Sequence, residues 1–219
     1  MDKIIEACKD LDYSWMPERI GNFNLHIDKT LQNKDKEYLL FHYENDLGWR
    51  WEALYDKEVE DYTVHINMPL FEFVDISFIA VEADKFWEGL QARCVQELTK
   101  MLIDPQQNFS HAYKVKGLTE WNYAEALPPV IGNFTLDIDP HHGIRMINGS
   151  YIIAEYRKKG ERTGLIVFFN VLRDEFFAEL RHKNHPEIDH YLDAKTIPEL
   201  EAVLLKHVPH ILEDLETRI

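Results

Sequence analysis

The stretch "IGNFNLHID" at residues 20–28 returns as "IGNFTLDID" at residues 131–139, and this repetition decides the expected fold. Seven of the nine positions are identical, and the shift of 111 residues is about half of the 219-residue chain. Within each copy, apolar and polar residues alternate, which is typical of a strand with one buried face. Gly21 and Gly132 precede the alternating residues, where a tight turn favours a residue without a side chain. The pattern predicts two copies of one folding unit.

Further strands follow each copy in the same order. "YLLFHY" at 38–43 aligns with "YIIAEY" at 151–156 at a shift of 113 residues, and both are predicted to form a second strand. The connections between consecutive strands are short, which favours an antiparallel meander. In full, strands are predicted at 20–28, 38–43, 49–55, 61–68 and 75–82 in the first copy and at 131–139, 151–156, 164–172, 175–182 and 188–194 in the second.

Each copy then ends in a predicted helix, because apolar residues recur every three or four positions along one face. Thr196 and Glu199 form a capping-box pattern at the start of the second helix, and Pro209 predicts a kink or a break inside it. Shorter helices are expected before the copies, at 2–11 and 118–126. The apolar stripes are Phe86, Leu90, Cys94, Leu98 and Met101 in the first helix and Ile197, Leu200, Leu204, Val208 and Ile211 in the second.

These patterns predict an α+β fold that arose by tandem duplication of a helix–antiparallel meander–helix module with four or five strands, forming a pseudo-dimer. The first repeat is expected at 1–104 and the second at 118–219, with the polar segment 105–117 as a linker. The repeats join either through sheet edges, which removes two exposed edges, or through their helices. The sequence does not choose between these two arrangements.

The net charge of the chain limits the classes of macromolecule that it is expected to bind. The formal net charge is −15, with 22 acidic and 11 basic residues up to Ser110 and 17 acidic and 13 basic residues after it. Nucleic acid is excluded as a partner, because phosphate binding needs clustered lysine and arginine. A protein with a basic surface suits such a chain better.

Membrane and disulfide signals are weak. No apolar run approaches the length of a membrane span, and the N-terminal "MDKIIEACKD" lacks the apolar stretch of a signal peptide. The expected location is therefore the cytoplasm, with no membrane partner. The two cysteines, Cys8 and Cys94, are not in a CxxC pair, so zinc-ribbon and thioredoxin readings have no support.

Common catalytic motifs are absent, and two histidine-rich stretches are the local candidates for metal chemistry. In "DIDPHHG", two carboxylates and two imidazoles within six residues suit a first-row divalent cation, with a solvated turn as the alternative. In "HKNHPEIDH" at 182–190, a proline favours a polar loop over a catalytic site. The metal candidates of the first stretch are Asp137, Asp139, His141 and His142; those of the second are His182, His185, Glu187, Asp189 and His190.

The stretch "ENDLGWRWEALYDKEVED" at 44–61 is the candidate recognition surface. It carries seven acidic residues against two basic ones, with three aromatic residues at alternate or nearby positions. Aromatic anchors within an acidic rim are typical of a binding hot spot, although alternate aromatic residues on a strand also pack in a core. The predicted partner-binding residues are Trp49, Arg50, Trp51, Glu52 and Tyr55.

Three functions follow from these features. The first is a non-enzymatic, acidic, cytoplasmic protein that recognises a basic protein partner, in the general manner of inhibitors, immunity proteins or chaperones. The second is a metal-assisted hydrolase with its site where the repeats meet, since pockets favour such seams. The third is a small-ligand binding module. A homotypic contact through the second repeat is a further option, and no cofactor other than a divalent metal is expected.

Overall fold

The computed structural model describes residues 11–27, 33–34 and 36–218, together with Ile4 and Cys8. The chain divides into two compact units, Met1–Ile103 and Asp104–Ile219. Within the described residues, each unit holds one antiparallel sheet followed by one long helix, so the protein has an α+β fold.

The first unit contains a sheet in which seven described strands pair antiparallel. Their order across the sheet is β1-β2-β4-β5-β6-β7, and β3 pairs with β4. Helix α1, Ala83–Leu98, follows the last strand and continues as a π-helical turn, Thr99–Ile103. The strands are β1 (Arg19–Ile20), β2 (Phe23–Ile27), β3 (Asn33–Lys34), β4 (Glu37–Glu44), β5 (Arg50–Asp56), β6 (Asp61–Asn67) and β7 (Glu72–Ala80).

The core of the first unit lies between this sheet and α1. Trp87 of the helix meets Phe41 of β4 edge-on, with ring centroids 6.1 Å apart. The predicted helical stripe is confirmed, because α1 buries a row of residues at helical spacing against the strands. The buried residues of α1 are Phe86, Trp87, Leu90, Cys94 and Leu98.

The second unit contains a sheet of the same kind. Seven described strands pair in the order β14-β13-β12-β11-β9-β8, and β10 pairs with β11. Two helices flank them in the chain, α2 (His111–Val115) and α3 (Ile197–Thr217). The strands are β8 (Val130–Ile131), β9 (Phe134–Ile138), β10 (Ile144–Arg145), β11 (Tyr151–Lys158), β12 (Gly164–Asn170), β13 (Glu175–His182) and β14 (His185–Ala194).

The segment 105–117, predicted as a linker, belongs to the second unit and contributes to its core. Phe109 stacks on Tyr113 at 4.2 Å, and the Tyr113 hydroxyl donates a hydrogen bond to the carbonyl of Pro140 at 2.6 Å. The segment is polar in composition, but its two aromatic residues are buried. Aromatic burial of this size outweighs the polar neighbours.

The two short helices predicted before the repeats, at 118–126 and 2–11, compare differently with the structure. Residues 118–126 form turns rather than a helix, although Leu118 and Trp121 are buried. At the N-terminus, Ile4 and Cys8 are helical, while the rest of residues 1–10 lies outside the described residues. Asp28, which ends the first copy of the repeated stretch, also lies outside them.

Helix α3 begins where the sequence predicts. The Thr196 side chain accepts a hydrogen bond from the Glu199 backbone N–H at 3.3 Å, and the Glu199 carboxylate accepts one from the Thr196 N–H at 3.2 Å. This capping box is therefore confirmed. The helix extends through Pro209 to Thr217, so the break that this proline allowed does not occur.

The elements of the two units follow one another in the same order. Each sheet has a two-residue strand, a five-residue strand, a short strand beside the next one, and then a four-strand meander that leads into the long helix. Gly21 and Gly132 turn the chain between the first two strands with φ of 57° and 58°, values that favour glycine. The turn expected at both glycines is therefore present.

Candidate functional site

The predicted recognition aromatics lie in the core of the first unit. Trp51 is fully buried between Phe41 and Phe78, with ring centroids 6.2 Å and 5.4 Å away, and Trp49 is also buried. Tyr55 is half-buried and packs edge-on against Tyr62. Trp49 and Trp51 are therefore not exposed anchors for a partner, because alternate side chains of β5 face the core between the sheet and the helix.

The two charged residues of the same hypothesis lie on the other face of β5. Arg50 is the accessible one, and its guanidinium contacts both oxygens of Glu44, from Nε at 3.1 Å and from Nη2 at 3.3 Å. Glu52 is almost completely buried, and its Oε1 lies 3.6 Å from Nη1 of Arg50. Arg50 therefore lies between two carboxylates.

The predicted metal ligands of the second unit do not converge. Asp137 pairs with Arg157, whose Nε lies 2.6 Å from Oδ2. Asp139 caps the turn that follows it by accepting from the His141 N–H at 2.8 Å and lies 3.0 Å from Nδ1 of His142. Nε2 of His141 lies 3.1 Å from the carbonyl of Trp121. Among the described residues, Asp137, Asp139, His141 and His142 are not grouped at metal-ligand distances, and each has its own protein partner.

The stretch 182–190 forms a β-hairpin rather than a polar loop. His182 pairs with His185 across a two-residue turn, in which Lys183 and Asn184 have positive φ. Nδ1 of the exposed His190 lies 3.0 Å from the carboxylate of Asp193. The side chain of Asp189 lies outside the described part of the structure. The histidines of the hairpin form no metal-ligand cluster with other described residues.

A row of ionisable side chains crosses four strands of the first sheet. The register pairs His26 with His42, His42 with Glu52, and Glu52 with His65. Phe41, the chain neighbour of His42, faces α1, so by alternation these four side chains project from the opposite face of the sheet. We call His26, His42, Glu44, Arg50, Glu52 and His65 the polar face.

The two inner histidines of the polar face have opposite protonation preferences. Burial is the largest effect that lowers the pKa of His42, and the positive charge of Arg50 lowers it further. Burial also opposes the charged form of His65, but the hydrogen bond with Glu72 and the nearby carboxylates outweigh it and raise its pKa. At neutral pH, His42 therefore offers a neutral imidazole, the form that binds metal ions.

Among the described residues, a single set of three side chains has donor atoms close enough together to bind one metal ion. The donor atoms of His26, His42 and Glu44 all lie within 4.8 Å of one another. The two imidazoles stack, with centroids 4.8 Å apart and planes 12° apart, and Nε2 of His42 lies 3.4 Å from Oε2 of Glu44. Sequence reasoning missed this set because its members converge only through strand register.

The second sheet has a different set of charges at the equivalent place. Glu155 lies between Ile138 and Ile166 in the register, just as His42 lies between His26 and Glu52. Glu155 is fully buried, and neither of its oxygens has a hydrogen-bond partner within the described part of the chain. Burial, and then the charge of Asp137, raise the pKa of Glu155 to about 8.

An exposed apolar corner follows the polar face in the chain. Ile76 is 59% exposed, Ile79 48% and Val81 75%, all within six residues at the end of β7, the last strand of the first sheet. The exposed carboxylates of Glu82 and Asp84 come directly after them. We call these five residues the β7 corner. Its signal in the sequence is the run "ISFIAV", where apolar residues break strict alternation.

An open groove lies between β14 and α3 in the second unit. Tyr191 stacks on His207 at 5.5 Å in this groove, and Arg218 binds Glu187 at 2.9 Å at one end. The groove has a volume of about 620 Å³ and is lined by charged and imidazole groups as well as apolar ones. It offers a surface contact rather than an enclosed ligand site.

No known protein family, curated protein or solved structure matches the chain. None of the described helices combines the length and the apolarity that crossing a membrane requires.

Proposed function

We propose that the protein is a non-enzymatic, cytoplasmic binding protein that recognises a basic protein partner through the β7 corner. The observation that carries this proposal is the exposure of Ile76, Ile79 and Val81 beside acidic residues. Contiguous exposed apolar side chains with a polar rim are typical of protein interaction sites. This corner replaces the buried tryptophans as the source of apolar contacts.

The charge of the first unit supports a basic partner. Residues 1–103 contain 21 acidic and 11 basic residues, whereas residues 104–219 contain 18 and 13. A surface with excess carboxylates steers a partner of opposite charge and suppresses partners of like charge. The apolar side chains then provide the area that is removed from water in the complex.

The geometry of β7 favours side-chain recognition over the addition of a new strand. The Ser77 N–H is bonded to Oδ1 of Asp75 at 3.0 Å, and the Ser77 carbonyl accepts from Arg93 at 2.8 Å. Two backbone groups in the middle of β7 are therefore already occupied. If a partner strand paired with β7, these two hydrogen bonds would have to break. Their loss would weaken the pairing along this edge of the sheet.

We also infer that the chain is a tandem duplication of one module, a pseudo-dimer in sequence. Two sheet irregularities recur at equivalent places: register shifts occur after Leu39 and after Ile152, 113 residues apart, and after Tyr62 and after Phe176, 114 residues apart. Bulges are retained within families. Together with the repeated stretch at 20–28 and 131–139, these shared bulges support a common origin.

The partner proposal is tested by affinity capture with charge variants. The immobilised protein, Ile79→Asp and Val81→Asp variants, and an Ile188→Asp control are incubated with a lysate of the source cells. Ile188 is the control because its side chain is 59% exposed, which lies between the exposed fractions of Ile79 and Val81. It also lies on the last strand of its sheet, as Ile79 does. Circular dichroism first verifies that each variant is folded.

The expected result is a basic protein that the wild type and the Ile188 variant retain, and that both corner variants lose. Added salt should release it, because exposed charges are screened beyond about 10 Å at 0.1 M salt. Equal retention by the corner variants, or retention that salt does not change, would contradict the proposal.

A further inference from the structure

We propose that His26, His42 and Glu44 form a binding site for a divalent transition-metal ion such as Zn²⁺. Two imidazoles and one carboxylate are a ligand set that suits this class of ion and leaves one coordination position open. The inference is independent of the proposed partner surface, because it concerns the polar face and none of the residues of the β7 corner.

The strand register places the three donors. His26 and His42 are directly paired across β2 and β4, and Glu44 lies two residues beyond His42 on the same face of β4. The neighbouring Phe23, Phe41 and Tyr43 are buried, which fixes both strands in place. The backbone therefore holds the three side chains together before any ion binds.

The distances require only small side-chain movements. In a tetrahedral site with bonds of about 2.0–2.2 Å, neighbouring donor atoms lie roughly 3.3–3.6 Å apart. The donors here lie within 4.8 Å of one another, and one pair, His42 Nε2 and Glu44 Oε2, is already at 3.4 Å. His26 is exposed, so its ring can turn toward the other two donors at little cost.

The ring of His42 is half-buried on the polar face. Nδ1 of His42 has no hydrogen-bond partner among the residues that the structure describes. The imidazole is therefore held by packing, by its stack with His26 and by the contact of its Nε2 with Oε2 of Glu44 at 3.4 Å.

Arg50 is the competitor that a metal ion must displace. Its guanidinium contacts both oxygens of Glu44, and its charge repels a cation at the same place. The structure offers an alternative partner, because Oε1 of Glu52 lies 3.6 Å from Nη1 of Arg50 and has no hydrogen-bond partner within the described residues. When Glu44 turns to the ion, Arg50 moves toward Glu52.

The second unit provides an internal comparison. At the positions that align in sequence with His26, His42 and Glu44 it has Asp137, Glu155 and Arg157, of which Asp137 and Arg157 form a closed ion pair at 2.6 Å. No imidazole is present among these three residues. The site is therefore specific to the first unit, and one ion per chain is expected.

The test is Zn²⁺ titration of the full-length protein, purified without a histidine tag and dialysed against a chelator. Calorimetry measures stoichiometry and affinity, and Co²⁺ gives a visible absorption spectrum that reports on coordination. The variants are His26→Gln, Glu44→Gln and Arg50→Gln. His190→Gln is the control, because His190 is an exposed histidine outside the site.

The expected result is one Zn²⁺ per chain, with little affinity for Mg²⁺. His26→Gln and Glu44→Gln should each weaken Zn²⁺ binding at least about tenfold, and Arg50→Gln should strengthen it, whereas His190→Gln should leave it unchanged. Because His26 is exposed, its variant is expected to fold, and the melting temperature without metal verifies this. Zn²⁺ binding that is absent, or that His26→Gln and Glu44→Gln leave unchanged, would overturn the proposal.

Discussion

Asp75 of β7 and Asp189 of β14 stand at the same place in their sheets, each paired beside a bulge. Asp75 pairs with Val64, and Asp189 pairs with Ala178. In both cases the next registered pair lies five residues further along the last strand but only two residues away on the neighbouring strand. In the first unit this bulge carries Ile76 and Ile79 to the surface. Two residues of the β7 corner, Ile76 and Ile79, therefore lie within the bulge, and we expect the corner to be a functional surface.

The two equivalent glycines provide a matched test of the fold. Gly21 and Gly132 have nearly equal φ, 57° and 58°, so alanine at either position costs about 1–2 kcal/mol through the backbone. A Cβ at Gly21 would lie 2.8 Å from Cδ1 of Ile103, whereas the nearest atom at Gly132 is 3.5 Å away at the end of Glu216. We therefore expect Gly21→Ala to destabilise the protein more than Gly132→Ala.

Urea unfolding measures this difference. In a double-mutant cycle, Ile103→Ala should cost less stability in the Gly21→Ala background than in the wild type, because it makes room for the new methyl group. Equal destabilisation by the two glycine variants would show that Ile103 does not crowd Gly21.

Truncation of Trp51 separates a core role from a recognition role. Trp51 is fully buried against Phe41 and Phe78, so Trp51→Ala should lower the free energy of unfolding by about 3–5 kcal/mol. Val59→Ala is the control at an exposed position and should change it by less than about 0.5 kcal/mol. Chemical denaturation gives both values. A loss below about 1 kcal/mol for Trp51→Ala would contradict the buried position.

The buried carboxyl group of Glu155 predicts a pH-dependent stability. Its pKa rises from the ordinary value of 4.5 to about 8 on folding, so the folded state binds a proton that the unfolded state releases between these values. This group therefore makes the protein less stable as pH rises from about 4.5 to 8, with a slope of at most about 1.4 kcal/mol per pH unit. Glu155→Gln should remove this contribution and raise the stability at pH 8.

Denaturation of the wild type and Glu155→Gln at several pH values between 5 and 8.5 measures the effect. The gap between the two proteins should widen with pH. A constant gap would show that Glu155 is ionised in the folded state throughout this range.

Alternating stretches and short apolar runs predicted the strands of the two meanders, although β11 and β12 are buried on both faces. The segments 61–68 and 175–182 agree with β6 and β13 to within one residue, and the Thr196 capping box has its predicted partners. These features depend on neighbours that are close in the sequence. Local patterns are sufficient for them.

The candidate sites depend on contacts that periodicity does not contain. Alternation along β5 separates Trp51 from Arg50 but does not say which face is buried, so the sequence leaves open whether the tryptophans lie in the core or at an interface. The convergence of His26 and His42 depends on the pairing of β2 with β4, where a one-residue slip would place the two rings on opposite faces. The segment 105–117 was interpreted as a linker because composition averages over its two buried aromatic residues.

Site-specific photo-crosslinking at Ile79 tests the central claim most directly. A photoreactive phenylalanine derivative at position 79 should crosslink one basic protein in the source cells, and the crosslink should weaken as salt is added. The same derivative at position 188, equally exposed on β14, should not capture that protein. No crosslink from position 79, or an equal crosslink from position 188, would contradict the assignment of the β7 corner as the recognition surface.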